Sequence, residues 1–395
     1  MARMAGERDR DLALFGATGF TGGLTADYLA ANAPAGLRWA LVGRNRTKLE
    51  AVAARLAAAS PEAPTPDLIV ADAADSAALA RVAESTRVVI TTVGPYALYG
   101  APLVAACAAA GTDYVDLTGE PEFVDRTWLD HHATAERTGA RIVHCCGFDS
   151  IPHDLGAYFT VQHLPEGVPL TVNGYVRTNA QFSGGTFHSA VNGFARGRQT
   201  LAAAKERRAA EQRPTDRKIR SAPARIHRVP ELGGWSAPLP TVDGTIIRRS
   251  AAAVDRYGPD FTYGHNVVAK HLATLGGMVA GVGTVAVLAP ITPARKLLLK
   301  AKSPGEGPSE ARRANSWFKI RFVGEGGGKR VVTEVSGGDP GYTETSKMLA
   351  ESGLCLAFDD NPERSGQLTT VASMGDMLLT RVQNAGIAFR VMEER

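Results

Sequence analysis

The stretch 11–30, DLALFGATGFTGGLTADYLA, decides the fold. Asp11 to Phe15 is a short apolar strand, Gly16 to Gly22 (GATGFTG) is a glycine-rich turn, and LTADYLA carries apolar residues at helical spacing. Strand, turn and helix in this order let backbone N–H groups approach a pyrophosphate, whose charge then faces a helix N-terminus. A bare GxxGxxG also occurs in ordinary tight turns; here the flanks point to dinucleotide binding.

Working outward, a second strand at Trp39 to Val42 ends in Gly43-Arg44-Asn45-Arg46-Thr47-Lys48. An NAD-specific protein would present an acid to the ribose 2′-hydroxyl at this point, and none is there. Arg44, supported by Arg46 or Lys48, suits a 2′-phosphate, because a guanidinium offers forked donors; the alternative is a solvated basic turn. A third strand, Asp67 to Val70, leads to Asp72, which either accepts from the adenine amino group or caps the following helix. A fourth, Arg87 to Val93, stops at Gly94-Pro95-Tyr96, beside the nicotinamide half of the cofactor in a doubly wound sheet. Further strands at Tyr114 to Leu117 and Ile142 to Cys146 alternate with helices, which specifies a parallel sheet with right-handed crossovers.

The 395 residues are enough for two or three domains. With 44% hydrophobic and 21% charged residues, the composition is that of a globular protein and excludes a disordered or fibrous chain. Four Cys without CxxC spacing suggest neither a zinc site nor a disulfide framework, so no metal is expected. The polar N-terminus lacks an apolar signal segment, and a cytoplasmic location is expected.

The net charge of +4 is too small to indicate a nucleic-acid binder, but it is unevenly spread. Residues 196–228 carry 11 basic and three acidic residues, a local +8 on a −4 remainder. This segment reads as a solvated helix face and linker, or as a docking patch for an acidic partner, a CoA phosphate or an anionic membrane. It lacks the interleaved aromatics of a nucleic-acid binder.

In the second half, GFDSIP (147–152) opens a helix, with Asp149 and Ser150 placed either to cap it or to touch nicotinamide or substrate. Ser183-Gly-Gly-Thr186 precedes a long helix starting near Phe187, as an ordinary cap or an oxyanion-binding loop. Residues 271–294 contain no Asp, Glu, Lys or Arg. A buried or interface helix is the leading expectation, followed by one lying on a membrane or lining a lipid entrance, with a true span last. Segments 316–323 and 330–335 read as a hairpin, and two helices follow Asp339-Pro-Gly-Tyr342.

The chain resembles the saccharopine dehydrogenase-like oxidoreductases, and among them the trans-acting enoyl reductase branch. The motifs are GATGFTG (16–22), GR (43–44), GPYALYGAPLVAAC (94–107), GTDYVDLTGE (111–120), GFDSIPHDLG (147–156), SGGT (183–186), GEGPSE (305–310) and DPGYTETSKMLAES (339–352). The resemblance implies an α/β fold: an N-terminal Rossmann doubly wound parallel sheet (9–150), an α+β substrate domain (151–338), and C-terminal helices (339–395) packing back on the first. It implies NADP held at Gly16, Thr18, Gly19, Phe20, Gly22, Arg44, Gly94 and Pro95, and places Tyr342 near the cleft.

Enoyl reduction needs hydride at the β-carbon, stabilisation of the enolate oxygen, and a proton for the α-carbon. Tyr96, Tyr99, Asp149 and Tyr342 are the groups expected nearest the nicotinamide, each also readable as a packed aromatic or a cap. The leading expectation is NADP-dependent reduction of a carbon–carbon double bond in a small-molecule or carrier-bound lipid or polyketide intermediate. Alternatives are a saccharopine-type amino-acid dehydrogenase, which requires several Arg converging on the cleft, and a non-catalytic NADP-binding scaffold at membranes or lipid droplets. Peripheral membrane contact through 271–294 and an oligomeric assembly are compatible with this reading.

Overall fold

The computed structural model describes residues 8–180, 184–212, 214–300 and 308–395. Ser183, the side chain of Thr186, Arg213, Lys302 and residues 305–307 of GEGPSE lie outside the described residues.

Strands β1 (Arg10–Phe15), β2 (Trp39–Gly43), β3 (Asp67–Val70), β4 (Thr86–Thr91), β5 (Asp113–Asp116) and β6 (Arg141–Val143) lie in the order β3-β2-β1-β4-β5-β6, all neighbours parallel. The central strands are apolar runs buried on both faces because helices cover both sides. Helices Ser76–Glu84, Ala101–Ala110 and Pro121–Thr138 pack together on one face, and Phe20–Asn32 lies on the other. All six strand positions read from the sequence carry strands.

A second, mixed sheet is built from β7 (Leu170–Thr178), β8 (Lys218–Ser221), β9 (His227–Val229), β10 (Gly234–Pro238), β11 (Asp260–Ala269), β12 (Phe318–Gly326) and β13 (Lys329–Gly337). The expected hairpin is β12–β13, with Gly327 and Gly328 both at positive φ (57° and 79°), as a two-residue turn between twisted strands requires. The C-terminal residues supply more than helices. Helix Thr343–Phe358 packs against Phe20–Asn32 and β4, then β14 (Gly366–Leu368) adds to β6 as a seventh parallel strand. After helix Thr370–Asn384, β15 (Ala388–Glu394) pairs antiparallel with β13, so this segment ties both sheets together.

One hydrophobic core runs from Leu12 and Ile90 through Leu155 and Met348 to Phe318, Phe322 and Val335. Helix Ile151–Gln162 lies within it, so the second sheet is fixed relative to the carboxyl ends of β4, β5 and β6.

Two expectations are corrected here. The helix expected near Phe187 begins at Gly184 and breaks at Arg196, giving Gly184–Ala195 and Gly197–Ala210. The run 271–294 is not a buried helix: it forms Leu272–Leu288 and the start of Thr292–Lys300, and in the first only Leu275 is buried, against Ala237 and Ala269. The basic segment is largely exposed, with Arg207 buried, and several of its cations pair within the chain. Arg196 pairs with Glu122 (2.5 Å), Arg207 with Glu211 (2.8 Å) and Asp125 (3.3 Å), and Arg220 with Asp260 (2.5 Å). Arg217 donates to the carbonyls of Ala251, Ala252 and Val254.

Candidate active site

The glycine-rich turn follows β1 directly. Gly16 has φ +89°, and a Cβ there would lie 2.8 Å from Thr92 Oγ1; a Cβ on Gly22 would lie 2.1 Å from the Gly16 carbonyl oxygen. These two glycines permit the turn and the close helix–strand approach. Gly19 is different: it is exposed at the N-cap of helix Phe20–Asn32, and its only close neighbour is the Gly16 oxygen at 3.3 Å. Gly19 is thus open to a ligand approaching the turn. Thr18 is exposed beside it.

The Phe20 ring packs edge-on against Tyr342 (4.8 Å between centroids), and the Arg313 guanidinium lies 5.3 Å from the Phe20 ring centre. Tyr342 is therefore buried at the glycine-rich turn, where it joins the C-terminal segment to the first sheet. Arg313 brings a cation to the rim of that turn. Sequence reading missed it because it comes from the far end of the chain.

At the end of β2, Arg44 is exposed and no described carboxylate pairs with it. Arg46 is committed to Glu50 (2.9 Å), and Asn45 caps the helix by accepting from the backbone N–H of Lys48, so Arg44 is open to a 2′-phosphate while Arg46 is not. Asp72 is not a helix cap. Its Oδ1 accepts from Ala74 N (2.9 Å), while Asp75 caps helix Ser76–Glu84. These residues fit NADP: a glycine cradle that side chains would fill, and an unpaired Arg where the ribose phosphate would lie.

Gly94 and Pro95, joined by a cis peptide, follow β4. Tyr96 turns inward: its hydroxyl donates to the Thr91 carbonyl (3.1 Å), its ring packs on Phe123, and burial pushes its pKa far above the ordinary value. This geometry suits a packed aromatic and not a proton donor, whereas Tyr99 is exposed at the rim. Glu120, buried after β5, fixes the loop by accepting from Tyr96 N (3.1 Å), Ala97 N (2.9 Å) and Ser189 Oγ (2.9 Å). At the ends of β5 and β6, Asp116 Oδ2 binds His144 Nδ1 at 2.7 Å.

Asp149 follows β6. A Cβ on Gly119 would lie 2.9 Å from its Oδ2, so its carboxyl occupies the space at the carboxyl end of β5. Neither Asp149 nor Ser150 caps helix Ile151–Gln162, contrary to the capping reading; Ser150 Oγ is buried without a described partner. The preceding Cys145 has φ +64°, a strained conformation for a non-glycine residue, at the point where the chain turns to present Asp149.

Behind Asp149 lies a buried polar cluster that the sequence did not reveal. His153 stands on helix Ile151–Gln162, Asp243 starts helix Asp243–Ala253, and Tyr263 and His265 come from β11. The rings of His153 and His265 are 5.0 Å apart, Tyr263 OH is 3.2 Å from His265 Nδ1, and His265 Nε2 is 3.4 Å from Asp243 Oδ2. Thr241 Oγ1 donates to the same carboxylate. Among the described residues, His153 Nδ1, Asp243 Oδ1 and His265 Nε2 have no hydrogen-bond partner, the last facing Asp243 as a longer ion-pair contact.

Electrostatics divide the two carboxyls. Burial raises Asp149 to about 7, and repulsion from Asp243 adds to this. Burial also works against ionised Asp243, but the imidazoles of His153 and His265 and the Thr241 hydroxyl outweigh it and hold Asp243 below the usual carboxylate range. Burial and His265 push His153 down to about 4, despite Asp243. The site thus holds one fixed anion and, beside it, a carboxyl that exchanges its proton near neutrality.

A separate cavity of about 480 Å³ lies between helices Pro121–Thr138, Gly197–Ala210 and Asp243–Ala253, lined by Trp128, His132, His144, Arg207, Arg249 and Gln367. Its cations are already paired: Arg207 with Asp125 and Glu211, Arg249 with Asp125. Among the described residues no group of acids, Cys and His forms a metal site.

Residues 12–143 match the family model of the saccharopine dehydrogenase NADP-binding domain. A Mycobacterium tuberculosis protein named as a trans-acting enoyl reductase is 37% identical over 97% of both chains. A trans-acting enoyl reductase of Mycobacterium ulcerans is 35% identical, over 96% of this chain and 97% of that protein. Among solved structures, the apo saccharopine dehydrogenase (L-Glu forming) of Saccharomyces cerevisiae superposes with a TM-score of 0.54 at 12% identity, covering 97% of this chain and 100% of that one. That last likeness concerns the fold alone.

Proposed function

The chain belongs to the trans-acting enoyl reductases, within the saccharopine dehydrogenase-like oxidoreductases, and is an NADP-dependent enzyme; from this premise we propose that it reduces a carbon–carbon double bond in a carrier-bound acyl chain of a lipid or polyketide intermediate. The observation that carries the chemistry is Asp149, a carboxyl with no described hydrogen-bond partner, at the carboxyl ends of the strands and raised to about 7.

The bound cofactor supplies the hydride for the β-carbon. Asp149 in its acid form delivers the proton to the α-carbon side, and reprotonation from solvent restores it. Asp243 holds Asp149 in that form by its negative charge, and Glu120 fixes the loop after β4. Gly19 and the helix N-terminus would hold the pyrophosphate, Arg44 would hold the 2′-phosphate, and Asp72 would face the adenine.

A saccharopine-type reaction would need cations gathered for the substrate carboxylates. The Arg residues of 196–228 whose partners are shown are held by Glu122, Asp125, Glu211, Asp260 and backbone carbonyls instead. Among the described residues no helix is long and apolar enough to cross a membrane. The enzyme we propose meets its substrate on a carrier or at a membrane surface.

The test measures NADPH oxidation with an enoyl thioester against NADP⁺ reduction with saccharopine. The first reaction is expected; turnover of saccharopine alone, or NADPH binding without any turnover, would contradict the reading.

A further inference from the structure

The helix Leu272–Leu288 leaves most of its apolar surface in solvent. Leu272, Met278, Val279, Val282 and Val287 are 44–69% exposed, and Cβ atoms built on its four glycines would meet nothing within 4 Å. Apolar side chains scattered singly are ordinary, but a contiguous helical surface of this kind marks an interaction site. Helix Thr292–Lys300 follows without a buried residue, carrying Arg295, Lys296 and Lys300 together with Leu297, which is 72% exposed.

Charge identifies the occupant. No Asp or Glu lies between Asp260 and Glu306, whereas Lys270, Arg295, Lys296, Lys300 and Lys302 do. A second copy of this chain would set these cations against their own kind. An acidic carrier protein would match the charge but leave the uncharged helix without a partner. An anionic bilayer matches both, taking the apolar helix below its headgroups and the basic residues at their level.

Length fits the same orientation. Seventeen residues at 1.5 Å each make a helix of about 26 Å, shorter than the roughly 30 Å hydrocarbon core, so it lies in the interface instead of crossing it. We infer that helices Leu272–Leu288 and Thr292–Lys300 form a peripheral docking surface for anionic phospholipid membranes. Both helices pack against Gly184–Ala195, whose Ser189 binds Glu120 beside the nicotinamide loop. The bilayer would therefore lie one helix away from Glu120 and the loop after β4. The inference goes beyond the enoyl-reductase reading and does not depend on turnover.

Co-sedimentation tests it, using the full chain with phosphatidylcholine vesicles and with phosphatidylcholine vesicles containing phosphatidylglycerol. The wild type should bind the anionic vesicles, bind neutral ones more weakly, and release at high salt. The double variants Val279→Asp/Val282→Asp and Arg295→Glu/Lys296→Glu should each lower binding on the order of tenfold or more, since each cation near the surface contributes severalfold. All altered positions lie on these two helices, away from the glycine-rich turn and Arg44, so melting temperature and NADPH affinity should stay at wild-type values. No binding to either vesicle type, or equal binding by wild type and variants, would overturn the inference. So would self-association, or capture of an acidic acyl carrier protein, that Val279→Asp/Val282→Asp abolishes in a chain that ignores vesicles.

Discussion

The Nε2 of His265 lies 3.4 Å from Oδ2 of Asp243, and this pair, carried by the second sheet and its helix, stands behind Asp149, which lies in the loop after β6 of the first. Burial is the main reason the proposed acid keeps its proton, and a group from the other sheet adds to it. Asp149 must carry a proton to act, so kcat should fall as pH rises through about 7. Removing the neighbouring charge with Asp243→Asn should move that limb to lower pH. A purely structural role for Asp243 would lower the rate at every pH and leave the limb in place, which a pH–rate profile of both proteins distinguishes.

The same carboxyl has a stability signature. Its folded pKa of about 7 exceeds the ordinary 3.8, so the native state keeps a proton that the unfolded chain releases between these values. The stability from Asp149 is thus full below pH 3.8, falls as pH rises through that window, and is lost above about 7. Asp149→Asn should melt higher than wild type at pH 8 and gain nothing at pH 3, as thermal melts at the two pH values would show.

Arg44 and Arg46 are two residues apart, but only Arg46 has a described carboxylate partner. Arg44→Asp should weaken NADPH binding on the order of 100-fold, from lost charge-assisted bonds and added repulsion, and change NADH affinity far less. Arg46→Ala should change neither by more than about threefold, because an exposed i,i+4 pair contributes little. Fluorescence titration with both nucleotides measures this; equal losses of NADPH and NADH in Arg44→Asp would remove the 2′-phosphate role.

Two glycines of one turn should fail in different ways. Gly22→Ala places a methyl 2.1 Å from the Gly16 carbonyl oxygen, a backbone clash expected to destabilise the protein by about 1–3 kcal/mol. Gly19→Val, at an exposed position, should leave the melting temperature of the cofactor-free protein nearly unchanged and abolish binding of both nucleotides. Thermal melts beside nucleotide titrations separate the two effects.

The first sheet was legible because each strand is an uninterrupted apolar run ending in a loop with its own chemistry, from Gly16 to Asp149. The cofactor turn was legible for the same reason: its residues are contiguous. The buried cluster was not, since His153, Asp243 and His265 come from three separate elements and none belongs to a local pattern. Strands β14 and β15 were hidden because three residues at Gly366–Leu368 form too short a run, and the pairing of 388–394 depends on a distant edge. The run 271–294 shows a different limit: its apolarity was evident, but whether the rest of the chain covers it depends on tertiary contacts, and only Leu275 makes a buried one in its main helix.

The most direct test of the central claim is NADPH oxidation by wild type and Asp149→Asn with a long-chain enoyl thioester, with the saturated product quantified and NADPH affinity measured alongside. The wild type should consume one NADPH per saturated thioester formed. The variant should bind NADPH as before and turn over about 10²- to 10⁴-fold more slowly, the usual contribution of a positioned general acid. A variant that forms the saturated thioester at the wild-type rate, or a wild type that binds NADPH and leaves the double bond intact, would contradict it.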